Sequence, residues 1–165
     1  VAAHSAYPER GRSAIHLLLD ILGEIRAIVW EPHPVLGEPT LNIGMIRGGV
    51  AMNTLAPEAS ATLMHRIVNE PEAVSNRVLE IVGDRALIDF HSQSRPQILT
   101  KIDGFPCKPV SFGTDIPYLD TMGKCLLLGP GSIHDAHTET ESISLTEVSD
   151  ATDLYVRLFH SLRHT

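Results

Sequence analysis

Ala59-Ser60-Ala61-Thr62-Leu63-Met64-His65-Arg66-Ile67 alternates in side-chain character, with Ala61, Leu63 and His65 on one side of an extended chain and Thr62, Met64 and Arg66 on the other. Thr40 to Arg47 repeats the pattern, with Leu41, Ile43 and Met45 sharing a face. Two such runs read as two antiparallel strands. Upstream, Ala14, Leu17, Leu18, Ile21, Leu22, Ile25, Ile28 and Val29 recur at helical spacing from the N-cap residue Ser13 until Pro32 and Pro34 stop the pattern. Downstream, Asn69, Glu70 and Pro71 open a second helix bearing Val74, Val78, Ile81 and Val82, and Gly83 closes it. Ala86 to His91 reads as a further strand. The order helix, strand, strand, helix, strand becomes that of a split βαβ unit if one more strand precedes His4. The fold class expected is therefore α+β, an antiparallel sheet with two helices on one face.

Ser92 to Pro109 holds three prolines and little periodicity, so it reads as a linker or return crossing. After it the pattern predicts a short helix around Ile116 to Met122, a strand Lys124 to Leu128, a Gly129-Pro130-Gly131 turn and a final helix. That helix starts at the capping box Ser144-Leu145-Thr146-Glu147 and buries Val148, Ala151, Leu154, Tyr155, Leu158, Phe159 and Leu162. The Gly-Pro-Gly turn runs into His134, His137, Glu139 and Glu141. Glycines let backbone N–H groups approach an anion, and a neutral imidazole can ligate a metal. On spacing alone, a solvated turn accounts for the same residues.

Composition narrows the class. An apolar fraction of 43% over 165 residues suffices for a core, in one domain or two small ones. A formal charge of -7 without a basic stripe speaks against nucleic-acid and membrane partners. Cys107 and Cys125 form no CxxC pair, which fits a reducing, cytoplasmic setting. The chain begins at Val1 rather than methionine, so processing or further upstream sequence is expected.

Four stretches carry a resemblance: Ala3-His4-Ser5-Ala6-Tyr7-Pro8-Glu9-Arg10-Gly11 with Ala14-Ile15; Gly48-Gly49-Val50-Ala51-Met52-Asn53-Thr54-Leu55-Ala56-Pro57; Ser111-Phe112-Gly113-Thr114-Asp115; and Gly129 to Glu141. In this order they resemble the C-terminal half of the di-zinc amidohydrolase and peptidase superfamily of acetylornithine deacetylase, succinyl-diaminopimelate desuccinylase, aminoacylase and carboxypeptidase G. The resemblance is nearest in style to the acetylornithine deacetylase branch. It implies residues 1–92 as a lid and dimerisation domain, its first strand missing or truncated. It also implies residues 93–165 as an α/β C-terminal segment of the zinc catalytic domain.

The activity implied is hydrolysis of the amide of a small acyl-amino-acid by a metal-bridged water, in amino-acid biosynthesis. The cofactor implied is zinc, two ions per complete site, with cobalt or manganese able to stand in. The partner implied is a second copy, docked through residues 1–92. His137 matches the last metal ligand of the family, His4 a histidine that crosses the dimer to stabilise the oxyanion, and Asn53 an asparagine beside it. Arg66 matches a substrate-carboxylate arginine, and Thr114, Gly129 and Gly131 match positions lining the substrate pocket. Ordinary alternatives stand beside these roles: His4 and Asn53 as turn residues, Arg66 in a surface salt bridge, Asp115 as a helix cap, Glu141 as a cap or a support for the ligand.

The N-terminal half of the family pattern is absent: a His-x-Asp motif, a bridging aspartate and a Glu-Glu pair with the general base. One histidine cannot assemble a two-metal site. The 165-residue chain is expected to be inactive alone, as a fragment of an N-acyl-amino-acid deacylase. The alternatives are a metallo-exopeptidase or dipeptidase of the same superfamily, or a non-catalytic dimerisation module if the chain is complete.

Overall fold

A computed structural model describes residues 1–163. The chain divides into two compact units: Val1–Gln97 with Lys108–Pro117, and Ile98–Cys107 with Tyr118–Thr165.

In the first unit, α1 (Ala14–Arg26) precedes β1 (Thr40–Gly48), β2 (Ala59–Arg66) and α2 (Pro71–Val82). Ser13 caps α1 by accepting a bond from the His16 amide. The helix ends at Arg26 rather than Val29, because Ile28-Val29-Trp30 is a run of β-branched and aromatic residues with poor helix propensity. Pro71 starts α2 where no backbone donor is needed, and Gly83, at φ +55, ends it.

β1 and β2 form a two-stranded antiparallel sheet whose register runs from Thr40 opposite Arg66 to Gly48 opposite Ala59. Both helices pack over the face carrying Leu41 and Leu63: Ile21 and Ile25 of α1 meet Val82 of α2, with Leu17, Val78 and Ile81 around them. The α+β architecture, with an antiparallel sheet and both helices on one face, is the one expected. The face of Met45 is not. A bulge between Ile43 and Met45 shifts the register by one, so Met45 pairs with Thr62 on the outer face and is half exposed. Arg85 fastens the helices by a bidentate pair at 2.7 Å to Glu24, holding that carboxyl below the usual range.

The segment 86–91, expected as a strand, is extended but unpaired. Ile88 packs on the core while Leu87 is fully exposed. In a split βαβ order a strand before α1 would lie between this segment and β2. Residues 1–13 instead form an isolated bridge at His4 and a 3₁₀ turn at Pro8–Arg10, so the segment has no ladder to join.

The second unit contains α3 (Leu145–Leu162), with the capping box formed in both directions between Ser144 and Glu147. The predicted short helix resolves into two 3₁₀ turns, Ile116–Tyr118, which straddles the two units, and Asp120–Met122. Lys124 to Leu128 is not a strand; its one ladder-like bond runs from the Thr100 amide to the Cys125 carbonyl. Of the apolar residues expected to be buried along α3, Ala151 alone is, whereas Val148, Tyr155, Phe159 and Leu162 are exposed. Among the described residues this unit has one long helix and no strand, hence no second layer to cover that face. No described helix is long and apolar enough to cross a membrane.

His65 sits on the core face of β2 with Nε2 buried and, among the described residues, without a hydrogen-bond partner, its ring edge-on to Trp30 at 5.0 Å. Burial lowers its pKa from the ordinary 6.5. The unfolded chain therefore binds the proton more readily than the folded one, so stability is full above about pH 6.5 and falls as pH drops below it. Trp30 is the sole tryptophan, and its emission should follow this loss on acid titration. His65→Phe should flatten the pH dependence; an unchanged profile in that variant would place the effect elsewhere.

Candidate functional site

The N-terminal segment and the loop between β1 and β2 are stitched together by a short backbone ladder. His4 bridges Thr54 in antiparallel fashion, flanked by bonds from the Ser5 amide to the Asn53 carbonyl (2.9 Å) and from the Leu55 amide to the Ala3 carbonyl (2.8 Å). The same region is braced below by reciprocal bonds between Val1 and Arg12, and by the Ala14 amide on the carbonyl of buried Ala56. His4 and Asn53, distant in sequence, thus become neighbours at the turn end of the hairpin, both exposed. The local fold also sets the His4 ring. His4 to Tyr7 is a turn closed by the Tyr7 amide on the His4 carbonyl, and the Ala6 amide donates to His4 Nδ1 at 3.1 Å. The Tyr7 ring stands edge-on to the imidazole, and Arg10 lies over Tyr7.

Gly11 is a structural requirement that the sequence did not flag. A Cβ there would meet the Val1 carbonyl oxygen at 2.6 Å, Ala3 Cβ at 2.8 Å and Leu55 Cδ1 at 2.9 Å, all three parts of the braced ladder. Only a residue without a side chain lets these backbones close.

Arg66 lies elsewhere. It pairs with Thr40 at the end of the hairpin opposite the 49–58 loop, seven residues along β2 from Ala59, or roughly 23 Å at strand rise. One small substrate cannot span that gap within one subunit. Its guanidinium is exposed, and among the described residues it makes no ion pair, so the surface salt bridge considered for it is not formed. Thr114 accepts from the Ile116 amide at 3.3 Å, taking the capping position expected of Asp115.

In the second unit, His137 adopts φ +65, the left-handed region that a histidine occupies at a cost of about 1–2 kcal/mol. The turn is held by Glu141, whose carboxylate accepts the His137 amide at 2.9 Å, and by Thr138 donating to the Asp135 carbonyl at 2.7 Å. Glu141 therefore supports the histidine's backbone. The imidazole of His137 is exposed and can serve as one ligand. Among the described residues no three His, Cys, Asp or Glu side chains converge as a metal site, so they do not by themselves supply the three or four protein ligands a zinc ion takes. Gly129 and Gly131 border a shallow depression of about 410 Å³ shared with Glu147, Asp150, Asp153 and Arg157. Three carboxylates against one guanidinium make its rim suit a cationic group better than an anionic one.

A family model, the peptidase dimerisation domain, matches residues 1–89. A peptidase M20 domain-containing protein of Schizosaccharomyces pombe is 34% identical over 95% of this chain and 40% of its own length. A probable carboxypeptidase of Uncinocarpus reesii is 34% identical over 96% of this chain and 42% of its own, and one of Aspergillus oryzae 33% over 97% and 43%. The chain spans about two fifths of the length of these relatives. Among solved structures, the aminobenzoyl-glutamate utilization protein of Klebsiella pneumoniae overlays on 50% of this chain and 21% of its own, at 28% identity and a TM-score of 0.43.

Gly11→Ala is expected to open the ladder, exposing the Ser5 and Leu55 amides to faster hydrogen exchange while the α1 core stays protected. Unchanged exchange at those two amides would show that the close approach is not needed.

Proposed function

Because the chain belongs to the M20 peptidase dimerisation-domain family, we propose that it is the dimerisation module and C-terminal segment of a metal-dependent hydrolase acting on an amide beside a free carboxylate. The observation that carries this reading is the backbone ladder that holds His4, opposite Thr54, against the 49–58 loop with Asn53 as the next residue of that loop, both at an exposed tip within the matched residues. Exposed donors at a protruding tip are placed to reach a second molecule, and a histidine and an asparagine are suited to developing negative charge on oxygen. In this reading residues 1–92 pair with a second copy, and His4 and Asn53 serve the site of that partner. Arg66, at the opposite end of the hairpin, suits a substrate carboxylate by a planar, two-pronged contact. Gly129 and Gly131 border the substrate pocket in the second unit, and Thr114 serves the substrate from the first.

His137 supplies one metal ligand, with Glu141 fixing its backbone. Zinc, when bound, polarises the amide carbonyl and lowers the pKa of water. The remaining donors and the general base come from sequence beyond this chain. The substrate proposed is an acyl-amino-acid, cleaved by an acetylornithine deacetylase-like deacylase of the cytoplasm. Relatives named as probable carboxypeptidases favour a second reading, an exopeptidase, since a peptide offers the same amide and carboxylate.

The full-length parent loaded with zinc, assayed on acetyl-amino-acids and on dipeptides, should hydrolyse one class and separate the two readings; activity on neither would sink both. His137→Ala in that parent should lower bound zinc, and unchanged zinc content would remove the ligand assignment. The 165-residue chain should sediment as a dimer and hydrolyse nothing. A monomer, or turnover by this chain alone, would overturn the proposal.

A further inference from the structure

We infer that His4 works as a neutral imidazole presenting Nε2–H, a hydrogen-bond donor only, and that the Ala6 amide and Tyr7 are the positioning elements that select this form. The inference rests on the proposed role of His4 at an anionic oxygen and adds its tautomer, its working atom and the residues that set them. A backbone amide can only donate, so at 3.1 Å from the Ala6 nitrogen, Nδ1 of His4 must be the acceptor. Accepting there leaves the neutral ring's one proton on Nε2, the nitrogen at the far end of the ring.

The turn that brings the Ala6 amide round is not free to relax. It is closed by the Tyr7 amide on the His4 carbonyl and pinned on either side of His4 by the Ser5 to Asn53 and Leu55 to Ala3 bonds. Tyr7 stands against the ring at 6.2 Å between centroids, at 63° between planes, which limits rotation about χ2. Tyr7 itself is held by Arg10, whose guanidinium lies over its ring at 5.5 Å. His4 so arranged cannot take a proton through Nδ1 without breaking the turn bond, and cannot ligate a metal through it. What it offers a ligand is one N–H vector, suited to a carboxylate or tetrahedral oxyanion.

His33 supplies an internal reference, because its Nδ1 accepts from the Val35 and Leu36 amides, both at 3.1 Å. Two measurements separate the tautomer from the function. Long-range ¹H–¹⁵N spectra of the 165-residue chain, above the titration range of histidine, should show His4 with a pyridine-like Nδ1 and a pyrrole-like Nε2, matching His33. Tyr7→Ala should let His4 populate both tautomers and leave His33 alone. A His4 protonated on Nδ1, or averaged in the unsubstituted chain, would overturn the inference.

In the full-length parent, His4→Gln keeps a donor near the Nε2 position, whereas His4→Asn puts one only near Nδ1. The Gln variant should lose less than about tenfold in kcat and the Asn variant about 100-fold, the scale of one lost oxyanion donor. Equal losses in both would overturn the donor claim. The expected spectra together with full activity in both variants would instead overturn the proposed role of His4 and leave its tautomer standing.

Discussion

The contact of Ile21 and Ile25 with Val82, over the sheet face of Leu41 and Leu63, is the constraint on which the first unit depends. A two-stranded hairpin is marginal in water by itself, and α1 and α2 are too short to be stable alone. Each becomes worthwhile only by burying its apolar side against the others, at roughly 1.5–3 kcal/mol per aliphatic side chain. The Glu24–Arg85 pair then closes the helix ends at the surface, where its value lies more in geometry than in free energy.

From that packing the position of the exposed tip follows. The register ends with Gly48 opposite Ala59, and a Cβ on Gly48 would meet Ala59 Cβ at 2.8 Å, so the strands stay close to their last pair. The loop leaving them is pulled back by Ala56, which is buried and bonded to the first amide of α1. Asn53 and Thr54 are thereby presented to the segment before α1, so the core places the backbone of His4, while its neighbours Ala6 and Tyr7 set its ring. The same register sends Arg66 to the opposite end. This separation gives a physical reason for a dimer to matter: residues too far apart to meet within one subunit can meet across two.

Much of the fold was legible because its signals are local. The Ala59 to Arg66 alternation, the Ser13 cap, Pro71 with Gly83, and the Ser144–Glu147 box each depend on a few neighbouring residues, and each formed where expected. What was illegible depends on partners far along the chain. The bulge after Ile43 leaves no mark in composition, yet it moves Met45 to the outer face. The strand pattern of 86–91 is sound, but pairing needs a neighbour that residues 1–13 do not supply. Along α3 the periodicity was right while the burial was not, because amphipathicity says that a face wants cover and not that cover is present. At the site, the resemblance rather than residue type or spacing pointed to His4, Asn53 and His137. Their supports, Gly11, the Ala6 amide and Tyr7, are visible only as distances.

The view that results is of an exposed tip carrying His4 and Asn53 and of a left-handed turn that exposes the imidazole of His137. The most direct test of this account uses mixed dimers of the full-length parent. His4→Ala subunits are combined with His137→Ala subunits, each inactive as a homodimer. If the tip acts in the partner's site, random mixing yields half heterodimers with one working site each, so activity should return to about a quarter of the unsubstituted level. A mixture no more active than its two parents would contradict the account.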